Sequence, residues 1–127
     1  MKSVVIIPTY NEIENISNII TAVLNKKDKF HVLIVDDGSP DGTAKKVMEM
    51  IVSNPDRLFI EERKEKSGLG TAYIHGFKWA IKNNYDYIFE MDADFSHSPD
   101  DLHRLYYSCT KHGADVCIGS RYVKGCL

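Results

Sequence analysis

Two aspartates, Asp92 and Asp94, separated by one alanine, are the residues of this chain best suited to do chemistry. They follow an apolar run over residues 87–91 that is typical of a β-strand. Two carboxylates at this spacing can hold one hard divalent cation, and such a cation can bind a diphosphate. Ser96 occupies the next alternate position, and alternate residues of an extended segment point the same way. The pattern therefore predicts Mg²⁺ or Mn²⁺ held by Asp92, Asp94 and Ser96.

Taken alone, this acidic pair also fits a solvated turn between a strand and a helix, so the surrounding sequence has to decide. Two other apolar runs also end in polar residues, one in PTYNE at positions 8–12 and the other in Asp36 and Asp37. In parallel sheets, ligands bind outside the carboxyl ends of the strands. We therefore expect the three strand ends to form one shared rim.

The residues of the first two strand ends suit a nucleoside. Pro8 and Tyr10 could form an apolar wall for a base, Glu12 could hydrogen-bond to that base, and the Asp37 carboxylate could accept hydrogen bonds from a base or a ribose. Each has an ordinary alternative. Tyr10 could pack on a helix, Glu12 could complement a helix dipole, and Asp37 could belong to a tight turn.

Arg121 follows Gly119 and Ser120, and its planar, always-charged guanidinium suits a diphosphate or a phosphate acceptor. A surface salt bridge is the alternative interpretation. The other basic residues are scattered in short clusters, such as the pair at 26–27 and the pair Arg63 and Lys64. We interpret these clusters as parts of a solvated face.

Composition limits the class of protein. A chain of 127 residues, 43% hydrophobic and 27% charged, is typical of one soluble domain with a real core. A net charge of -2 gives no reason to expect nucleic acid as a partner. The three cysteines lack metal or redox spacing and are expected to be reduced thiols, which indicates a cytoplasmic protein. We find no signal peptide and no apolar stretch near the ~20 residues that span a bilayer.

Short apolar runs alternate with helical patterns along the chain. The runs predict strands at 3–8, 31–35, 58–61, 85–91 and 114–119. Helical spacing predicts buried stripes over 16–24, over 44–51 including Met48, and over 68–84 including Ile81, with a further helix beginning at Ser98. Asn11 is expected to cap the first helix, with Glu14 completing a capping box. This alternation predicts an α/β fold, a mostly parallel, doubly wound sheet with helices on both faces.

Five motifs occur in order along the chain: VVIIPTYNE, LIVDDGSPDGT, GLGTAYIHGFKWA, MDADFSHSP and IGSRYVKG. Together they resemble the dolichol- or polyprenol-phosphate mannosyltransferases, which are family 2 glycosyltransferases with the GT-A fold, a Rossmann-like fold that binds nucleotide sugars. The first two motifs mark the broad family. The third and fourth are more specific to the polyprenol-phosphate branch. The resemblance covers nearly all of the chain.

The resemblance also implies roles for individual residues. A nucleoside pocket would be lined by Pro8, Tyr10, Glu12, Val35 and Asp37. The diphosphate would be flanked by Asp92, Ala93 and Asp94, with Asp92 and Asp94 near the metal and Ser96 as a further metal contact. Arg121 would reach the donor phosphate or the acceptor phosphate. Asp94 and Arg121 are therefore the expected catalytic residues.

The implied reaction moves a mannosyl group from GDP-mannose to a polyprenyl phosphate, with inversion at the sugar carbon and with Mg²⁺ or Mn²⁺ as cofactor. Two alternatives stay open: another nucleotide sugar of the UDP-glucose type or a sugar-hydroxyl acceptor, and a nucleotide-sugar-binding fragment without catalysis. Members of this family continue for roughly as many residues again, so residues 1–127 are expected to form a single donor-binding domain without the acceptor-side part. Such a domain is expected to be cytoplasmic or peripheral at the cytoplasmic face of the membrane, and exposed apolar surface could make it a homo-oligomer.

Overall fold

A computed structural model describes residues 2–26, 29–64 and 69–93 and the backbone of 116–118. It contains five strands: β1 (Ser3–Thr9), β2 (His31–Asp36), β3 (Leu58–Glu62), β4 (Tyr87–Glu90) and β5 (Val116–Ile118). Within the described residues, three helices connect β1 through to β4: α1 (Ile16–Leu24), α2 (Thr43–Ser53) and α3 (Leu69–Lys82). The predicted helix that begins at Ser98 lies outside the described residues.

The five strands form one sheet in the order β3-β2-β1-β4-β5, and every neighbouring pair is parallel. The chain moves outward from β1 to β3 and then crosses back to β4 on the other side of β1. Strand order therefore reverses between β1 and β4. The predicted mostly parallel, doubly wound sheet is confirmed.

The helices cover both faces of the sheet, as predicted. One face packs against α1 and α2, and we call it the α1/α2 side; its fully buried residues on β1 and β2 are Val5, Ile7, Val32 and Ile34. The opposite face packs against α3, and we call it the α3 side; its fully buried strand residues are Val4, Ile6, Leu33 and Val35. Burial of these alternating branched side chains on both faces stabilises the sheet and fixes which way each rim residue points.

Gly76 lets α3 lie directly on β1. A Cβ atom at this position would stand 2.6 Å from Cγ2 of Ile6, which is closer than real side-chain contacts. Only a residue without a side chain fits at this contact, so the helix axis is held close to the sheet. The first turns of α3 are thereby brought over the carboxyl ends of the strands.

Three local predictions are wrong. The helix α1 begins at Ile16 with Asn15 at its N-cap and no side-chain cap. Asn11 instead lies in the β1–α1 loop with a φ of 56, so the expected capping box with Glu14 does not form. Met48 and Ile81 are 44% and 68% exposed, because each lies toward the outer face of its helix.

None of the helices described here is long and apolar enough to cross a membrane. The longest of them, α3, has 14 residues, whereas a membrane span needs about 20. Its half-buried aromatic residues pack on the sheet.

Candidate functional site

The carboxyl ends of β1, β2 and β4 meet at one edge of the sheet, where strand order reverses. The register pairs Thr9 with Asp36 across β1 and β2, and Ile6 with Glu90 across β1 and β4. The predicted rim shared by the three strand ends is therefore confirmed. Ligands of open α/β sheets bind at this place.

Asp36 holds the rim together on the α1/α2 side. Its Oδ1 accepts hydrogen bonds from the hydroxyls of Thr9 and Ser39, each at 2.7 Å. Its Oδ2 accepts one from the backbone N–H of Ser39 at 3.0 Å. The residue is only 1% exposed. Because both carboxylate oxygens are buried and bonded within the protein, Asp36 has a structural role.

The loops after β1 and β2 are bonded to each other. The backbone N–H of Asn11 donates to the Ser39 hydroxyl at 2.8 Å, and the N–H of Glu12 donates to the Thr43 hydroxyl at 3.0 Å. These bonds leave the Tyr10 side chain 38% exposed at the rim and Glu12 half-buried beside it. Both predicted nucleoside-binding residues therefore lie on a loop whose backbone is bonded to Ser39 and Thr43.

Asp37 points to the α3 side and pairs with Arg63. The guanidinium donates from Nε to Oδ1 at 2.6 Å and from Nη2 to Oδ2 at 2.8 Å, while Nη1 donates to the Thr71 hydroxyl on α3 at 3.1 Å. The Asp37 side chain is 7% exposed and the Arg63 side chain is 15% exposed. Hydrogen bonding to Asp37 raises the pKa of Arg63 against the opposing effect of burial. The interpretation of Arg63 as a solvated residue is wrong, because the residue after β3 lies beside the end of β2.

Asp92 also lies on the α3 side, two residues beyond the end of β4. The hydroxyl of Tyr73, on α3, donates a hydrogen bond to Oδ1 of Asp92 at 2.9 Å. Glu90 lies two residues before Asp92, so it is on the same side of the sheet, and it is half-buried. Burial and, to a smaller extent, the negative charge of Asp92 raise the pKa of Glu90 to about 7. Two carboxyl groups thus stand together at this end of the rim.

Of the remaining predicted site residues, some lie within the described part of the chain and others outside it. Pro8 is half-buried and paired in register with Val35, whose side chain is fully buried in the α3-side core; Ala93 is 3% exposed. Three residues lie outside the described part of the chain: Asp94, Ser96 and Arg121. Among the residues that are described, no cluster of three or more carboxylate, thiol or imidazole groups could hold a metal ion. Asp92 is the one predicted metal ligand within them.

Sequence reasoning missed three residues at this rim: Arg63, Tyr73 and Glu90. Arg63 comes directly after a predicted strand, the position from which a residue reaches the rim of a parallel sheet. Tyr73 falls within the buried stripe predicted over 68–84, and a hydroxyl at the rim end of that stripe is the available signal. Glu90 was an acidic residue inside an apolar run.

The sequence matches the family described as "Glycosyl transferase family 2" over residues 4–126. A curated relative, the polyprenol monophosphomannose synthase of Mycolicibacterium smegmatis, is 48% identical over 124 residues. The match covers 98% of this chain and 46% of that protein. The chain thus spans about half the length of this relative.

Two solved structures show the same fold. The S. aureus protein TarS 1-349, in complex with UDP-GlcNAc, is 25% identical to this chain, with a TM-score of 0.72. The match covers 91% of this chain and 33% of that chain. The Pyrobaculum calidifontis mannosyltransferase PcManGT, in complex with GDP-Man and Mn2+, is 30% identical with a TM-score of 0.59, covering 73% and 27%. The fold is that of GT-A glycosyltransferases, and this chain belongs to glycosyltransferase family 2.

Proposed function

We propose that this chain binds a nucleotide sugar at the rim and forms the donor-binding domain, residues 1–127, of a mannosyltransferase. The donor would be GDP-mannose and the acceptor a polyprenyl phosphate. The observation that carries the proposal is the placement of Asp37 and Asp92. Both lie on the α3 side of the rim, on opposite sides of β1, and each is held by a side chain from outside its own strand.

The two carboxylates suit different parts of such a donor. Asp37 is paired with a guanidinium, so its negative charge is balanced and its oxygens can still accept hydrogen bonds from an uncharged base or ribose. Tyr10 would stack on the base, with Glu12, Pro8 and Val35 completing the pocket. Asp92 accepts a hydrogen bond from the Tyr73 hydroxyl, which is a neutral donor. Its carboxylate is suited to the end of the donor where a cation and the diphosphate meet.

A divalent cation fits the chemistry of this end of the rim, since carboxylate and hydroxyl oxygens are the ligands that Mg²⁺ and Mn²⁺ prefer. Asp92, Asp94 and Ser96 would hold it, and Ala93 would lie against the diphosphate. When bound, the ion would supply positive charge to the leaving diphosphate. The Mn2+ and GDP-Man in the PcManGT structure support this choice of cofactor and donor.

In the proposed reaction, an oxygen of the acceptor phosphate attacks the sugar carbon from the face opposite the diphosphate. A new carbon–oxygen bond forms, the bond to the diphosphate breaks, and GDP leaves with the electron pair. The product therefore has inverted configuration. A phosphate acceptor is largely ionised at neutral pH, since its second pKa is about 6, so no general base is required. Arg121 would stabilise the charge on one of the two phosphate groups.

The proposed acceptor also indicates where in the cell the protein would act. A polyprenyl phosphate lies in a membrane while GDP-mannose is water-soluble, so we propose that this domain works at the cytoplasmic face of the membrane. The relative that is 48% identical is named polyprenol monophosphomannose synthase, which supports a polyprenyl phosphate as the acceptor. Self-association remains a prediction.

A second donor class is favoured by one observation. The TarS complex contains UDP-GlcNAc on the same fold, so a UDP-sugar is the alternative to GDP-mannose. Thermal unfolding with Mn²⁺ and either GDP or UDP separates the two. The proposal predicts a larger rise in the midpoint temperature with GDP, whereas a larger rise with UDP would reassign the donor.

The direct test is transfer of labelled mannose from GDP-mannose to a polyprenyl phosphate in the presence of Mn²⁺. We expect Asp94→Ala and removal of the metal with EDTA each to abolish metal-dependent nucleotide binding and transfer. Asp86→Asn is the control, because Asp86 is exposed at the opposite end of β4 and accepts a hydrogen bond from the Lys2 backbone. Nucleotide binding without transfer would reduce the function to donor binding. Unchanged nucleotide affinity in Asp94→Ala would refute its role.

A further inference from the structure

We propose that Tyr73 is a positioning residue that holds Asp92 for metal binding. This inference rests on the proposed function, because it assumes that Asp92 binds a cation. It adds a residue from α3, an element that contributes none of the predicted metal ligands. Tyr73 would act through Asp92 and would not itself touch the substrate.

The geometry supports a specific contact. The Tyr73 hydroxyl lies 2.9 Å from Oδ1 of Asp92, within the range of a good hydrogen bond. Both side chains are half-buried, so water competes less for the contact than at an open surface. The bond joins residues 19 positions apart, on α3 and at the end of β4. It therefore fixes a tertiary relationship rather than a local turn.

The packing of α3 explains why the hydroxyl arrives there. Gly76 lies one turn after Tyr73 on the same face of the helix, and its missing side chain lets α3 contact Ile6 directly. Ile6 is paired in register with Glu90, two residues before Asp92. The close approach at Gly76 thus sets the distance between the helix and the end of β4, which the tyrosine ring then bridges.

The chemistry of the donor also fits this role. Partners that donate hydrogen bonds to metal ligands fix the ligand's orientation, and their loss typically lowers metal affinity by about 10- to 100-fold. A tyrosine hydroxyl does this without adding a positive charge that would repel the cation. The Arg63 guanidinium at Asp37 shows the contrasting arrangement on the same side of the rim.

The test is the affinity of the purified protein for Mn²⁺, measured by electron paramagnetic resonance, in wild type and in Tyr73→Phe. The substitution keeps the ring and removes only the hydroxyl. Tyr85→Phe is the matched control, since it removes a hydroxyl that contacts His31, near the amino ends of the strands. We expect Mn²⁺ affinity to fall by about tenfold or more in Tyr73→Phe and to stay within about twofold in Tyr85→Phe.

Two further measurements separate positioning from general stability. Nucleotide affinity without metal should be unchanged in Tyr73→Phe, and in an Asp92→Asn background the same change should lower Mn²⁺ affinity no further. Equal Mn²⁺ affinity in wild type and Tyr73→Phe would overturn this inference alone. If the wild-type protein binds no Mn²⁺, both the inference and the proposed metal site are wrong.

Discussion

Asp36 and Asp37 are neighbours in the chain, yet they serve opposite sides of the sheet. On the α1/α2 side, Asp36 is 1% exposed and bonded to Thr9 and Ser39. On the α3 side, Asp37 pairs with Arg63 and Asp92 with Tyr73. Both sides use aspartates, but in the described part of the chain those of the α3 side pair with a guanidinium and a phenol from other elements.

This difference separates a structural acid from candidate binding acids. Asp36 accepts its hydrogen bonds from Thr9 and Ser39, so it fixes the rim on the α1/α2 side. Asp37 is also buried and paired, and what distinguishes it is its place on the α3 side with Asp92. The α3-side carboxylates are held at the place where a parallel sheet binds its ligand. The comparison predicts that substitution of Asp36 affects stability without affecting binding, whereas substitution of the α3-side carboxylates also weakens binding.

The sharpest contrast is between the matched variants Asp36→Asn and Asp37→Asn. In Asp36→Asn an amide group replaces an acceptor oxygen, so we expect the free energy of unfolding to fall by about 2 kcal/mol with nucleotide affinity unchanged. In Asp37→Asn, loss of a charge-assisted acceptor should weaken nucleotide binding by about tenfold or more. Urea unfolding and calorimetric titration measure the two effects. A loss of affinity in Asp36→Asn alone would reverse the assignment.

A comparable effect on stability is expected from the contact that sets α3 against the sheet. Gly76→Ala places a methyl group against Ile6, and overpacking of this kind destabilises by about 2 kcal/mol. Gly70→Ala, in the same helix, meets no atom within 4 Å and should raise stability by up to about 1 kcal/mol because alanine favours helix. Thermal or urea unfolding of both variants checks this. Equal stability of the two would show that the close approach is unimportant.

A pH dependence of stability also arises on the α3 side. The pKa of Glu90 is raised from 4.5 to about 7, so the folded protein holds a proton that the unfolded chain loses. Its contribution to stability is therefore present at low pH and is lost as the pH rises through about 7. His31 acts in the opposite direction, since burial, with Arg57 and Lys2, lowers its pKa.

Comparison of wild type with Glu90→Gln isolates the Glu90 contribution. Urea unfolding in EDTA between about pH 5 and pH 8 should show that the substitution stabilises the protein most at the alkaline end. Glu49→Gln, at an exposed position on α2, is the control and should leave the pH profile unchanged. A constant difference between wild type and Glu90→Gln across this range would contradict the assignment.

The sequence predicted the parallel sheet and the shared rim because branched apolar runs and the polar residues after them are local signals. It placed Tyr10, Glu12, Asp37 and Asp92 at strand ends for the same reason. The partners of these acids were not predictable in this way. Arg63 and Tyr73 are 26 and 19 residues away from the carboxylates they contact, and those contacts depend on strand order and on how closely α3 packs.

The central claim is that the α3 side of the rim binds the donor. A crystal structure of the protein with GDP-mannose and Mn²⁺ tests it most directly. We predict the base beside Asp37 and Tyr10 and the diphosphate beside Asp92, on the side of the sheet that α3 covers. A donor bound away from these residues, or on the α1/α2 side against Asp36, would contradict the account.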